Sequence, residues 1–146
     1  MALATAVVGK AYPTVTYAVG REKVREYALA VGERDPLHLD PGAARAAGHA
    51  DVVAPPMFVV VYAAPAIGPA IFDPEVGIDL ARMVHGAQEF TWGPLVVAGD
   101  EIATTVTVAR VEERAGLGFF AFASVSRRGS DTVCAGTWTM IVRGSA

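Results

Sequence analysis

A chain of 146 residues with 53% hydrophobic and 18% charged content is long enough for one domain with a real core. Its net charge of −3 and the lack of any basic stripe argue against nucleic acid as a partner. So few charges on so small a domain predict that some apolar surface is covered by another subunit. The single cysteine, Cys134, has no internal disulfide partner, which fits a reducing cytoplasm. The opening stretch MALATAVVGKAYP lacks the cationic start and long apolar run of a signal peptide.

Residues 1–13 read as an irregular lead-in and 15–19 as a short strand. After Gly20, the segment REKVREYALAV sets Val24, Tyr27, Leu29 and Val31 against charges, predicting a helix over 21–31 that ends near Gly32. A polar loop follows over 33–40. Asp40-Pro41 is a helix start, with the aspartate as N-cap and proline at the first position, and Gly48 ends that helix after 41–47. Residues 57–67 (MFVVVYAAPAI) are apolar on every face, as in a helix surrounded by protein. The β-branched run also fits a buried strand; Pro55-Pro56 suits a helix start. No charge occurs over the 21 residues from Val52 to Phe72, about the length that spans a bilayer. Pro55, Pro56, Pro65, Gly68 and Pro69 leave only 57–64 undisturbed, so a buried helix with a broken end is expected, not a membrane span. Residues 68–80 read as a loop with room for one helical turn.

The second half changes character. Residues 83–92, 101–112, 118–127 and 132–142 alternate and are rich in Val, Thr and aromatics, predicting four long strands. Their separators carry Gly and Asp for turns, Gly99-Asp100 among them. Strand after strand without intervening helices means an antiparallel sheet. The expectation is therefore an α+β hot-dog fold spanning residues 1–146 as one domain: a curled antiparallel sheet around a long central apolar helix.

Polar chemistry at the mouth of an apolar element marks the place to look for a site. Glu33 and His38 lie five residues apart on a loop stiffened by Asp35-Pro36. A carboxylate and an imidazole facing one pocket form a workable general acid/base pair. Read without further context, His38 also suits a loop histidine capping nearby backbone, Glu33 a solvated helix-end carboxylate and Asp35 a turn-former.

The segments YAVGREKVREYALAVGE, DPLHLDPGAARAAGH, VVAPPMF, GIDLARMVHGAQEF and PLVVAGDEI resemble the MaoC-like, (R)-specific enoyl-thioester hydratase/dehydratase family of hot-dog proteins over nearly the whole chain. The likeness is strongest to an actinobacterial subgroup related to the HadA-type subunits of the mycobacterial β-hydroxyacyl-ACP dehydratase. In catalytic members of that family an Asp and a His handle a water molecule. A glycine N–H at the start of the central helix helps hold the thioester oxygen, where the helix end offers unpaired donors and positive partial charge. The resemblance places His38 on the catalytic histidine, Glu33 where Asp is usual and Asp35 where Asn is usual. Pro55 and Pro56 fall on a His-Gly step, removing the expected donor at Pro56 and making Met57 the next one. Such a Pro-Pro turn resembles the substrate-binding, catalytically degraded partner subunits, which often lack the histidine that His38 retains here.

The family implies an acyl-CoA or acyl-ACP substrate with its chain beside the central helix, and Pro56, Met57, Phe58, Val61 and Tyr62 as substrate-binding residues. It implies a homodimer, or a heterodimer with a homologous hot-dog subunit, and neither metal nor redox cofactor. The runner-up readings are a non-catalytic substrate-binding subunit and a hot-dog thioesterase. His85-Gly86 is expected to be structural, near a dimer interface, with Gln88 as a hydrogen-bond partner, and His49 to lie at the surface. Three scattered histidines and one cysteine form no metal-ligand cluster, and neither a nucleophilic Gly-x-Ser-x-Gly nor a Gly-rich phosphate loop occurs.

Overall fold

The computed structural model describes residues 4–144. One five-stranded, wholly antiparallel sheet is built from β1 (Val15–Ala18), β2 (Met83–Trp92), β3 (Glu101–Arg114), β4 (Leu117–Arg128) and β5 (Asp131–Arg143), in the order β1-β3-β4-β5-β2. The long helix α4 (Val59–Ile71) lies across the β1, β3 and β4 part of the sheet. The architecture is α+β and of the hot-dog type. The period-2 alternation of the second half produces it directly. Ile102, Val106 and Val108 of β3, Phe120 and Phe122 of β4, and Met140 and Val142 of β5 are buried on the inner face with Phe58, Val59, Tyr62 and Ile67. Polar atoms on that face are paired, Thr104 Oγ1 with Ser126 Oγ at 2.8 Å and Trp138 Nε1 donating to Ser124 Oγ at 2.9 Å.

Several elements depart from the predicted boundaries. The loop over 33–40 contains one turn of helix, α2 (Pro36–Leu39), because Asp35 repeats the Asp40-Pro41 device: its Oδ1 accepts Leu37 N at 2.9 Å, and Pro36 fills the first position. Helix α1 covers Arg21–Ala30, and α3 covers Pro41–Ala46 behind its Asp40 cap. The central helix starts with a 3-10 turn at Pro56–Phe58 and continues four residues beyond the expected end, through Gly68 and Pro69. Pro65 and Pro69 are four apart, hence on one face, and both are exposed. The carbonyls that lose their helical donors therefore face outward, while Ala63, Ala66, Ile67 and Ala70 pack inward. The expectation of a helix enclosed on all sides is corrected in the same way. One sheet covers one side, so Ala64, Pro65 and Pro69 are exposed within this chain. Among the described residues no helix is long and apolar enough to cross a membrane.

The lead-in is held more firmly than expected. It carries a 3-10 turn at Thr5–Val7 and runs beside β3, with Gly9 N donating to Val108 O and Tyr12 N to Val106 O. Lys10 Nζ pairs with Asp73 and Glu75, each at 2.6 Å, and Tyr12 Oη donates to Asp73 at 2.6 Å. The Lys10 ammonium, followed by the Tyr12 hydroxyl, holds the Asp73 carboxyl down at about 2. A carboxylate depressed in the folded state stabilises it above the unfolded pKa, and that contribution is lost as the pH falls through the folded one. The stability supplied by Asp73 should therefore disappear between pH 3.8 and about 2. Urea-unfolding midpoints across that range should fall less steeply for Asp73→Asn than for the unaltered protein, with Asp51 supplying the remaining acid dependence over a similar range. Equal slopes would refute the assignment.

Candidate active site

Gly32 (φ +78°) takes the left-handed conformation that ends α1 and turns the chain into the polar loop. Glu33 then folds onto its own loop. Its Oε1 accepts Arg34 N at 2.8 Å and Asp35 N at 3.0 Å, leaving Oε2 outside that cap. These two N–H donors, with a smaller contribution from His38, hold the Glu33 carboxyl below its ordinary value. Asp35 is committed to capping α2. His38, at the third position of that turn, points its ring back to the chain just before the central helix, with Nδ1 2.6 Å from Val53 O. A carbonyl oxygen only accepts, so Nδ1 carries the proton and Nε2 of the neutral ring keeps a bare lone pair. An imidazole in that tautomer is a base with a fixed direction.

The Val53 carbonyl is itself fixed. Val53 N donates to Leu37 O at 2.9 Å, and Ala54 N donates to Val96 O at 2.8 Å. Two residues earlier, Arg21 grips Asp51 through Nε and Nη2 at 2.9 and 2.6 Å, and Asp51 accepts Val52 N at 2.7 Å. Neither Arg21 nor Asp51 was singled out in the sequence, where they are 30 residues apart and carry no motif.

Directly after Ala54 the chain makes the Pro55-Pro56 turn. Neither proline has an N–H, so Met57, 43% exposed, is the first residue of this turn to offer one. The turn forms one side of an apolar cavity of about 290 Å³, whose other walls include Tyr62, Trp92, Leu95 and Val133. Among the residues expected to bind substrate, Pro56 and Tyr62 line this cavity. Phe58 does not. It is fully buried in the core, edge-on to Tyr27 at 5.5 Å and beside Tyr17 and Tyr62. Met57 and the half-buried Val61 also lie off its wall. His38 is not part of the wall either; it is joined to it through Val53 and Ala54.

The wall supplied by Trp92, Leu95 and Val133 was missed by sequence reasoning. Its one signal is a tryptophan set immediately before Gly93-Pro94 at a strand end. Trp92 Nε1 donates to Pro56 O at 2.8 Å and so joins the end of β2 to the start of the central helix. The Tyr62 hydroxyl meets the buried Cys134 thiol, and burial raises the pKa of both. His85, on the inner face of β2, stacks on Trp138 with ring centroids 6.2 Å apart. Gln88 Nε2 donates to Thr137 O at 3.0 Å, and its buried Oε1 has no partner among the described residues. His49 is half-buried, and its backbone N–H donates to Ala44 O of α3. Among the described residues no three or more His, Cys, Asp or Glu gather as a metal ion would need.

The family described as FAS1-like, dehydratase domain region, matches residues 6–133. A UPF0336 protein of Saccharopolyspora erythraea is 43% identical, covering 100% of this chain and 95% of its own length. A UPF0336 protein of Clavibacter michiganensis is 49% identical over 93% of each chain. Among solved structures, a MaoC-like dehydratase superposes with a TM-score of 0.87 at 30% identity; 97% of this chain is covered but only 44% of that longer one. The C-terminally truncated HadBC (3R-hydroxyacyl-ACP dehydratase) complex of Mycobacterium tuberculosis matches at TM-score 0.80 and 27% identity, covering 92% of this chain and 96% of that one.

Proposed function

The chain belongs to the FAS1-like dehydratase-region family, and on that premise we propose that it is a hydro-lyase interconverting (3R)-hydroxyacyl and trans-2-enoyl thioesters. The observation that carries this is the His38 ring, held by Val53 O so that Nε2 is the free base beside the start of the central helix. In the dehydration direction His38 Nε2 removes the proton from C2, and charge moves onto the thioester oxygen. That oxygen lies at the helix start, where the Met57 N–H is the nearest available donor. The C3–O bond then breaks, and the imidazolium returns its proton to the departing hydroxyl, releasing water. Glu33, anchored through Oε1, orients that hydroxyl with Oε2. Asp35 holds the turn that carries His38 and takes no part in proton transfer. The acyl chain occupies the cavity beside Tyr62, with CoA or ACP as carrier.

A second reading rests on one observation, the two prolines where an N–H donor would be useful. In it the chain is the substrate-binding member of a pair and a homologous hot-dog subunit does the chemistry. The HadBC neighbour is a complex, which favours a hot-dog partner in either case. The test is hydration of crotonyl-CoA by the purified chain alone, followed as loss of enoyl absorbance and repeated with longer enoyl chains and on ACP. Turnover is the expected result. Inactivity on every substrate, with activity restored by adding a homologous subunit, would overturn the first reading in favour of the second. Release of free thiol in place of hydration would make the protein a thioesterase.

A further inference from the structure

Five hydrogen bonds fix one wall of the apolar cavity. Trp92 Nε1 donates to Pro56 O at 2.8 Å, Gly93 N to Val133 O at 2.9 Å, and Ala54 N to Val96 O at 2.8 Å. Arg128 Nη1 donates to Leu95 O at 2.9 Å while paired with Asp100 at 2.8 Å, and Asp100 also accepts Val97 N at 2.9 Å. The strap of residues 92–97 is therefore tied at both ends and in the middle. It also sits as close to β5 as the backbone permits: a Cβ at Gly93 would run into the carbonyl oxygen of Thr132. None of the residues lining this space carries a charge, and among them only Tyr62 and Trp92 have polar side-chain atoms, the Trp92 N–H being taken up by Pro56 O. Such a cavity admits a hydrocarbon and does not swell to fit a larger one.

We propose that this strap gives the site a fixed upper limit on acyl chain length, and that Trp92 is the residue that sets it. The inference rests on the acyl-thioester reading above. A cavity of about 150 Å³ holds the six carbons of benzene, so one of about 290 Å³ holds an acyl tail of roughly ten carbons once packing is allowed for. Beyond Trp92 the same face of β2 carries Phe90, 5.7 Å from Trp92 and 5.3 Å from Trp138 between ring centroids, ahead of the polar Gln88 and His85. The Trp92 indole, 48% exposed, stands between the cavity and that face. Removing it extends the cavity toward Phe90.

The experiment is calorimetric titration with saturated acyl-pantetheine thioesters from four to sixteen carbons, kept below micellar concentration. Pantetheine is the part that CoA and ACP share, and binding needs no turnover. For the unaltered protein the affinity should climb by about threefold or more per methylene, as burial of a CH₂ predicts, and break near ten carbons. Trp92→Ala should move the break to fourteen carbons or beyond, with at least a tenfold gain for the longer chains. Trp92→Phe, which keeps most of the ring and loses the N–H donor, should fall between and shows that the strap still folds. An affinity that climbs unbroken to sixteen carbons, or an identical break in Trp92→Ala, would overturn the limit and leave the thioester reading intact. Failure of every chain length to bind would remove both.

Discussion

Replacing His38 with alanine is expected to lower enoyl-thioester hydration by about 10²- to 10⁴-fold, the range that one positioned acid/base group supplies. The argument depends on the tautomer. The Val53 carbonyl fixes the proton on Nδ1, so a single atom, Nε2, is left for the chemistry, and no other group described in the loop replaces it. The substitution also strips Val53 O of its donor, which costs stability of about 1 kcal/mol. Two measurements separate the effects. Thermal unfolding should show a folded variant with a modestly lower midpoint, and exogenous imidazole should restore part of the lost rate. A variant that keeps more than a tenth of the activity would remove His38 from the mechanism. One that is inactive but gains nothing from imidazole would reduce it to a structural cap.

Restoring a backbone donor at the start of the central helix should have an effect of comparable size in the opposite direction. Pro56→Gly and Pro56→Ala each introduce an N–H where the structure has none, while the Pro56 carbonyl that accepts from Trp92 is kept. One oxyanion donor is worth about 10²- to 10³-fold in kcat, or roughly 3 to 4 kcal/mol of barrier, when it faces the oxygen that gains charge. The expected result is a rise in kcat with little change in KM, against a stability loss near 1 kcal/mol as the unfolded chain gains freedom. The alanine variant loses less of the rigidity and should show the rate gain more cleanly. An unchanged kcat in both folded variants would show that the thioester carbonyl is held elsewhere. A silent parent protein that becomes active in either variant would identify the Pro-Pro turn as the lesion of a formerly catalytic subunit.

Between these two sites lies a division of labour that the sequence only half reveals. Asp35-Pro36 and Asp40-Pro41 look alike on paper, and both prove to be helix starts, each with an aspartate oxygen accepting an N–H two residues on. The first reads as a loop in the sequence because four residues are too few to show a period. Glu33 presents the opposite case. The longer side chain suggests reach into a pocket, yet its Oε1 is drawn back onto the loop by two neighbouring N–H groups.

The sequence by itself determined the class of the fold. Alternation over four long segments points to an antiparallel sheet by local periodicity, with no knowledge of distant contacts. The uncharged apolar segment fits a buried strand as well as a helix by that measure, and the Pro55-Pro56 start and the family resemblance favour the helix. It also placed His38 next to the mouth of that helix, because proline and aspartate punctuate the loop at short range. What only the tertiary structure decided is what the histidine faces and where the apolar space lies. The Nδ1 contact to Val53 spans 15 residues, and the Trp92 contact to Pro56 spans 36. Pairing over such distances is set by sheet order and register, which no window of neighbouring residues encodes. For the same reason Phe58, one position past Met57, falls into the core while Trp92, at the end of β2, falls on the cavity wall.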